Sequence, residues 1–168
     1  MGVGTTYSFK DLVGSITNPV FAETILLSGG NVGVGSISIT MDTARTSFET
    51  AADGTVMPSY IAGNSGKVDI VCQQTSLIHK QLLNLYNMCQ TAADAFDITG
   101  WSATTVTIRT MLDGSSHKAT GVSFEKIPDK PYEAQGKTVT WVLMAANIVS
   151  TGNTLQTAIT SLASGIGL

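Results

Sequence analysis

The sequence predicts an α+β, mostly β domain: an antiparallel β-sandwich or barrel of six to seven strands flanked by one α-helix. Three observations predict it. Short segments of alternating apolar and polar residues recur along most of the chain, separated by turn residues. One segment alone, about 77–91, carries a strong apolar stripe at helical spacing. The length, 168 residues, is that of one ordinary domain, enough to bury a core without disulfides or metal.

Thr5-Thr6-Tyr7-Ser8-Phe9-Lys10-Asp11-Leu12 alternates, with Tyr7 and Phe9 on one face, and reads as the first strand. Ser36-Ile37-Ser38-Ile39-Thr40-Met41 alternates cleanly, and Arg45-Thr46-Ser47-Phe48-Glu49-Thr50 more weakly. Val68-Asp69-Ile70-Val71-Cys72 is rich in β-formers, and Val106-Thr107-Ile108-Arg109 alternates again. His117–Phe124 and Thr138–Val149 complete the set. The turns between them fall at Gly29-Gly30-Asn31, Asp53-Gly54, Gly63-Asn64-Ser65-Gly66, Asp113-Gly114-Ser115 and Pro128-Asp129-Lys130-Pro131. Ser76 can cap the helix, whose stripe is Ile78, Leu82, Leu85 and Cys89, widened by Leu83 and Tyr86. His79, Lys80, Asn84 and Asn87 are expected on its solvated side. A short second helix is expected over 153–162, with Leu155, Ile159 and Leu162 on one face.

Charge is the unusual quantity. Only 12 % of residues are Asp, Glu, Lys or Arg, against about 25 % in an average soluble protein. Ser and Thr take their place, with 39 of the 168 residues. No ionised side chain occurs from Thr24 to Met41, from Gly54 to Gly66, or anywhere after Lys137. Charges are the costly groups to desolvate, so such stretches form surface suited to being covered by another protein. The net charge of −3, with its two Arg and seven Lys scattered, argues against binding nucleic acid. The N-terminus lacks the basic and apolar regions of a signal peptide, and synthesis in the cytoplasm is expected. The most apolar segment, Val139–Val149, has 11 residues, against the ~20 of a membrane span.

Chemistry is sparse. His79 and His117 lie in no metal-ligand spacing, so neither a metal nor a cofactor is expected. His117 follows the Asp113-Gly114-Ser115-Ser116 turn, but a triad is defined by geometry and not by nearness in sequence. Gly29, Gly30, Gly33 and Gly35 have the wrong order for a phosphate loop, and a strand follows them instead of a helix. Asp53, Asp69, Asp94 and Asp97 are accounted for by turns and polar faces. Cys72 and Cys89 read as small buried hydrophobes. No catalytic residue is expected.

The most specific local pattern runs from Ala52-Asp53-Gly54-Thr55-Val56-Met57 through Ala62-Gly63-Asn64-Ser65-Gly66-Lys67-Val68. It continues with Gln74-Thr75-Ser76 and a helix reaching Asn87. With Thr6-Tyr7-Ser8-Phe9-Lys10-Asp11 at the start and the strand around Trp141 late in the chain, this resembles the tail-tube proteins of contractile phage tails. The sequence departs from that pattern in a long glycine-rich stretch, Gly29–Gly35, and in a long extension after Ser150.

The resemblance implies a fold similar to the phage-tube and type VI secretion-tube group. It implies hexameric rings stacked into a hollow conduit through which DNA passes without specific binding, inside a contractile sheath. The partners implied are other copies of the chain, the sheath protein, and tail terminator and baseplate proteins, in a virion tail assembled in the host cytoplasm, with no segment in a membrane. Residues 1–150 would form the tube domain, and 151–168 an extension making contacts between subunits. Among the residues themselves, the stretch between Thr50 and Lys67 is too long for a tight hairpin and is expected to be a loop reaching a neighbour. Met57, Pro58, Tyr60 and Ile61 are its anchors, joined by Leu155, Ile159 and Leu162 from the extension. The lumen-facing set is expected to be Ser36, Ser38 and Thr40, with Ser47 and Glu49 on the next strand. A secretion-system or other phage-like tube protein is the alternative within this class. A carbohydrate-binding β-sandwich module is the alternative outside it, served by few aromatics: Trp101, Trp141 and four Tyr.

Overall fold

The computed structural model describes residues 6–28, 33–95 and 97–152. Among these the chain forms nine strands and one α-helix. Seven strands make one curled antiparallel sheet, a half-barrel: β1 (Leu12–Asn18), β2 (Glu23–Leu26), β3 (Val34–Met41), β6 (Gly66–Gln73), β7 (Thr104–Thr110), β8 (Ser116–Phe124) and β9 (Thr138–Thr151). Their order is β2-β1-β7-β8-β9-β6-β3. The other two, β4 (Thr46–Thr50) and β5 (Val56–Tyr60), pair only with each other. The helix α1 (Leu77–Ala95) lies against one face of the sheet.

Alternation decides that face. In β6, Val68, Ile70 and Cys72 are buried, and across the ladder Leu143, Trp141 and Val139 of β9 meet them at the same level. Ile16 of β1 pairs with Val106 of β7, which pairs with Ala119 of β8. The stripe of α1 fills the hollow: Ile78, Leu82, Leu85 and Cys89 are all buried. Each such apolar side chain contributes about 1.5–3 kcal/mol by leaving water. At the centre, Trp141 meets Phe124 edge-on at 5.6 Å, and Tyr86 of α1 meets Phe124 at 5.5 Å and Trp101 at 5.8 Å. Ser76 opens the helix, its hydroxyl accepting from the His79 amide at 3.3 Å. The helix runs four residues past the expected Thr91, and the Asp97 amide then closes it onto the Ala92 carbonyl.

Glycine is required at two close approaches. Gly66 packs so near the Thr40 carbonyl and Ile148 that any side chain would collide with them. Gly121 has φ +61°, and a Cβ there would lie 2.9 Å from that of Ala146, where β8 and β9 bend together.

Three expectations need correction. The first strand is not Thr5–Leu12. Ser8 folds that segment into a short 3-10 turn, Phe9–Asp11, by accepting from the Lys10 amide, and Tyr7 is left 76 % exposed. The strand begins where the turn ends, at Leu12, and turns Gly14, Ile16 and Asn18 inward. Next, the stretch from Thr50 to Lys67 is no irregular loop. Asp53 accepts from the Thr55 amide at 2.9 Å, Gly54 takes φ +89°, and Ala51 donates to the Thr55 carbonyl at 2.8 Å. That tight turn folds β5 back on β4.

His79 is the third correction. It is not on a solvated face but 3 % exposed. The indole N–H of Trp141 donates to its Nδ1 at 3.0 Å, which places the ring proton on Nε2, a buried atom with no partner among the described residues. Burial, and then the positive charge of Lys130, hold this imidazole below its ordinary value of 6.5. The unfolded chain therefore takes up the proton first as the pH falls. The stability this site contributes is complete above pH 6.5 and is lost below it, towards the lower native value. Thermal melts between about pH 7 and pH 5 should show a falling melting temperature, and His79→Gln should flatten that slope. Equal slopes in the two chains would remove the assignment.

A buried polar knot ties one end of the sheet to the helix. The Asn18 amide donates to the Gly100 carbonyl at 3.0 Å and to the Thr104 hydroxyl at 3.2 Å, with the Cys89 sulfur at 3.7 Å. Its carbonyl oxygen accepts from the Val20 amide at 3.0 Å.

Candidate subunit interface

Several features would each need a partner to be satisfied. The most pronounced is the β4–β5 hairpin. All ten of its strand residues are exposed. Its register separates two faces: Thr46↔Tyr60, Phe48↔Pro58 and Thr50↔Val56 share one, and Ser47↔Ser59 and Glu49↔Met57 the other. The first face is apolar, with Phe48 70 % and Tyr60 79 % exposed. At its root Arg45 lies over the Tyr60 ring, 5.9 Å from its centre, and donates to the phenol oxygen at 3.1 Å. A two-stranded hairpin is marginal in water by itself, and among the described residues none forms a core beneath this one.

The anchors expected from sequence fall on this arm in part. Met57, Pro58 and Tyr60 lie on β5, but the pleat sends Met57 to the face opposite Pro58 and Tyr60. Ile61 follows the strand, half-buried, its amide bonded to the Arg45 carbonyl. Leu155, Ile159 and Leu162, and the short helix expected over 153–162, lie outside the described residues. Phe48, Val56 and Arg45 were not among the expected anchors. Phe48 could have been found from its alternating segment once the Asp53-Gly54 turn was read as a hairpin turn.

The face of the sheet away from α1 is the second feature. Ser36, Ser38 and Thr40 sit on it, exposed, at the level of Val71, Asp69 and Lys67. Further across the sheet come Thr140, Thr120, Thr107 and Ser15, with Val142, Met144 and the exposed cations Lys118 and Arg109 among them. Lys67 is paired with Glu125 at 3.9 Å. Ser47 and Glu49 do not share this face. The Asp42–Arg45 turn carries the chain off the sheet, and the partner of β4 is β5, not β3. The third feature is the pair of sheet edges, β2 and β3. Nowhere in β3 is there a charge or a proline to discourage pairing.

The titratable groups are held in structural roles. Asp53, Asp97 and Asp113 each accept from the amide two residues on, at 2.9 Å. Those bonds, with the hydroxyls of Thr55, Thr99 and Ser115, draw their carboxyls below the ordinary range. His117 Nδ1 meets the Ser150 hydroxyl at 2.7 Å, while Asp113 bonds Ser115, so no carboxylate orients the imidazole as a triad requires. Among the described residues no group of three His, Cys, Asp or Glu is gathered to hold a metal, and no helix is long and apolar enough to cross a membrane. Burial pushes both thiols up and hides them completely. A thiol reagent should therefore leave Cys72 and Cys89 unlabelled in the native subunit and label both in denaturant. Fast native labelling would show that one of them reaches the surface.

Among the described residues, then, stand a curled β-sheet with one helix, two sheet edges and an exposed apolar arm, the form of a structural β domain. The family comparison gives the specific form. Residues 4–152 match the family model described as the bacteriophage PhiTE tail tube protein, and the chain belongs to that family. It is a structural subunit of a tail tube and part of the particle.

Solved structures with the same fold include a chain of the sheath–tube complex of an extracellular contractile injection system, PVC, in the extended state. That chain has a TM-score of 0.56 at 12 % identity, covering 89 % of this chain and 94 % of that one. A chain of the tube-terminating cap of the anti-feeding prophage gives 0.55 at 10 %, covering 90 % and 95 %. One from that particle's baseplate gives 0.56 at 10 %, covering 90 % and 99 %. Among curated protein sequences none matches.

Proposed function

We propose that copies of this chain close into rings of six, that the rings stack into a hollow tube, and that the tube conducts DNA inside a contractile sheath. The observation that carries the reading is the hairpin, a sheet of two strands with every residue exposed on a chain of the tail-tube family. An arm of this kind is stable only when its apolar face is covered. The two sheet edges support ring closure, since a strand from the next subunit would satisfy the outward amides and carbonyls of each.

The face of Ser36, Ser38 and Thr40 is then the lumen wall. Hydroxyls hydrate a passing polyanion without holding it, whereas rows of Lys or Arg would retain phosphate. Three cations share that face, Lys67 paired with Glu125 and the exposed Lys118 and Arg109, few beside the hydroxyls around them, and the net charge is acidic. Met57, Pro58, Tyr60 and Ile61 make contacts between subunits, and residues 151–168 extend them beyond the domain of 1–150. The solved relatives come from assemblies described by sheath, cap and baseplate. A sheath protein, a terminator and a baseplate are accordingly the further partners, and assembly takes place in the host cytoplasm. The role is mechanical, with no catalysis and no cofactor. A tube in a secretion system or another phage-like particle would use the same surfaces.

The test is negative-stain microscopy of the purified chain with sedimentation velocity. Annular and tubular species with six-fold class averages are expected. A monodisperse monomer at high concentration would overturn the reading.

A further inference from the structure

We propose that the apolar face of the β4–β5 hairpin seats in a groove between α1 and the β1–β2 turn of a second copy, with Arg45 meeting that copy's Glu23. The proposal rests on the reading that the hairpin makes the contact between subunits, and it names the surface that receives it.

The groove is an open cleft of about 380 Å³ lined by Phe21, Asn87, Met88, Thr91 and Ala92. None of these carries a charge, and Phe21, Met88 and Ala92 make its wall apolar. The volume suits an aromatic side chain with its neighbour, as the Phe48–Pro58 pair presents. A second cleft shares Asn87 and Met88 and ends on Glu23.

Charge fixes the match. No Lys or Arg occurs between Lys10 and Arg45, nor between Lys80 and Arg109. These are the two stretches that build the groove, and among the described residues the one ionised side chain lining it or the adjoining cleft is Glu23. The hairpin brings the opposite sign: Arg45 stands at its root against Tyr60. Neither Arg45 nor Glu23 has a salt-bridge partner among the described residues. A buried aromatic with an Arg beside it is the composition of an interface anchor.

Knob and groove lie on different parts of one chain. Such a contact is heterologous: filling one groove leaves the next hairpin free, so copies add head to tail until a ring closes or a stack grows.

The test is charge reversal in the full chain, read by sedimentation velocity across a concentration series. Glu23→Lys and Arg45→Glu should each raise the concentration needed for assembly roughly tenfold or more, from like charges set face to face. The double variant should return to within about threefold of the parent. Circular dichroism should show all three folded. If a reversal fails to fold, mixing a Phe48→Cys chain with a Met88→Cys chain replaces it, and a disulfide between the two chains is expected. Normal assembly of both single variants would overturn the groove as acceptor, yet the hairpin reading would survive if deleting residues 46–60 still abolished tubes. An assembly defect in Glu23→Lys that Arg45→Glu does not rescue would also overturn it.

Discussion

Replacing Phe48 and Tyr60 together by serine should abolish tube assembly and leave the subunit as stable as before. The two effects separate because the hairpin and the core share no buried contact. Both rings lie on the exposed face of an arm that has no sheet or helix beneath it among the described residues. In the free subunit their loss removes only the exposed Arg45–Tyr60 contact, so a thermal melt should stay within about 2 °C of the parent, as for surface positions generally. In the assembled state the same rings would be buried, and aromatic anchors of this kind cost about 2–4 kcal/mol each when truncated. Every subunit repeats the contact, so the loss multiplies along the tube. Sedimentation and negative-stain images check the first effect and the melt checks the second. Tubes that form normally from the double variant would remove the hairpin from the interface.

Trp141→Ala should have the reverse character, destroying the subunit before assembly is reached. The indole is fully buried at the meeting of β9, β6 and α1. It packs edge-on against Phe124 and donates to His79. Removing a buried Trp costs about 3–5 kcal/mol in transfer and cavity terms, and the Nδ1 of His79 would lose its donor in a dry site. A domain holds only about 5–15 kcal/mol of net stability. The expected outcome is a chain mostly insoluble on expression, or one melting well over 10 °C lower where soluble. Trp141→Phe keeps an aromatic ring but loses the indole N–H and part of the volume, and its loss should be smaller than that of Trp141→Ala. A Trp141→Ala chain that melts like the parent would mean that the aromatic cluster is not the centre of the core.

The strands that could be read from the sequence are those with one face on that core. β3, β6, β7, β8 and β9 alternate because their inward residues are mostly Ile, Val, Leu, Phe or Trp. β1 was hidden by what it turns inward: Gly14, close against Leu27, and Asn18, which serves as a hydrogen-bonding knot, look like loop residues in a linear pattern. β5 was hidden for the opposite reason. With no core on either side its residues obey no burial pattern, and Pro58 argues against a strand unless that strand is an edge. The Asp53-Gly54 turn was the readable signal, and it outweighs the length of the segment. His79 sits one position outside the apolar stripe, and only the reach of Trp141 across the sheet shows why it is buried.

The candidate interface was legible as a region more than as a set of residues. Long stretches without charge marked surface to be covered, and the second strand of the hairpin lies inside one of them. Which side chains act together depends on register: Pro58 shares a face with Phe48, whereas Met57 shares one with Glu49. Ser36, Ser38 and Thr40 keep to one face because β3 is regular there, while Ser47 and Glu49 were assigned to it only on the assumption that consecutive strands are neighbours.

Amide hydrogen exchange of residues 46–60, compared between dissociated subunits and assembled tubes, tests the central claim most directly, because it reads the hairpin and nothing else. The expected result is rapid exchange in the free subunit, at the low end of local stability, and protection greater by about a hundredfold or more in the tube. Equal exchange in both states would mean that the arm stays in water after assembly and that its apolar face is not what joins the subunits.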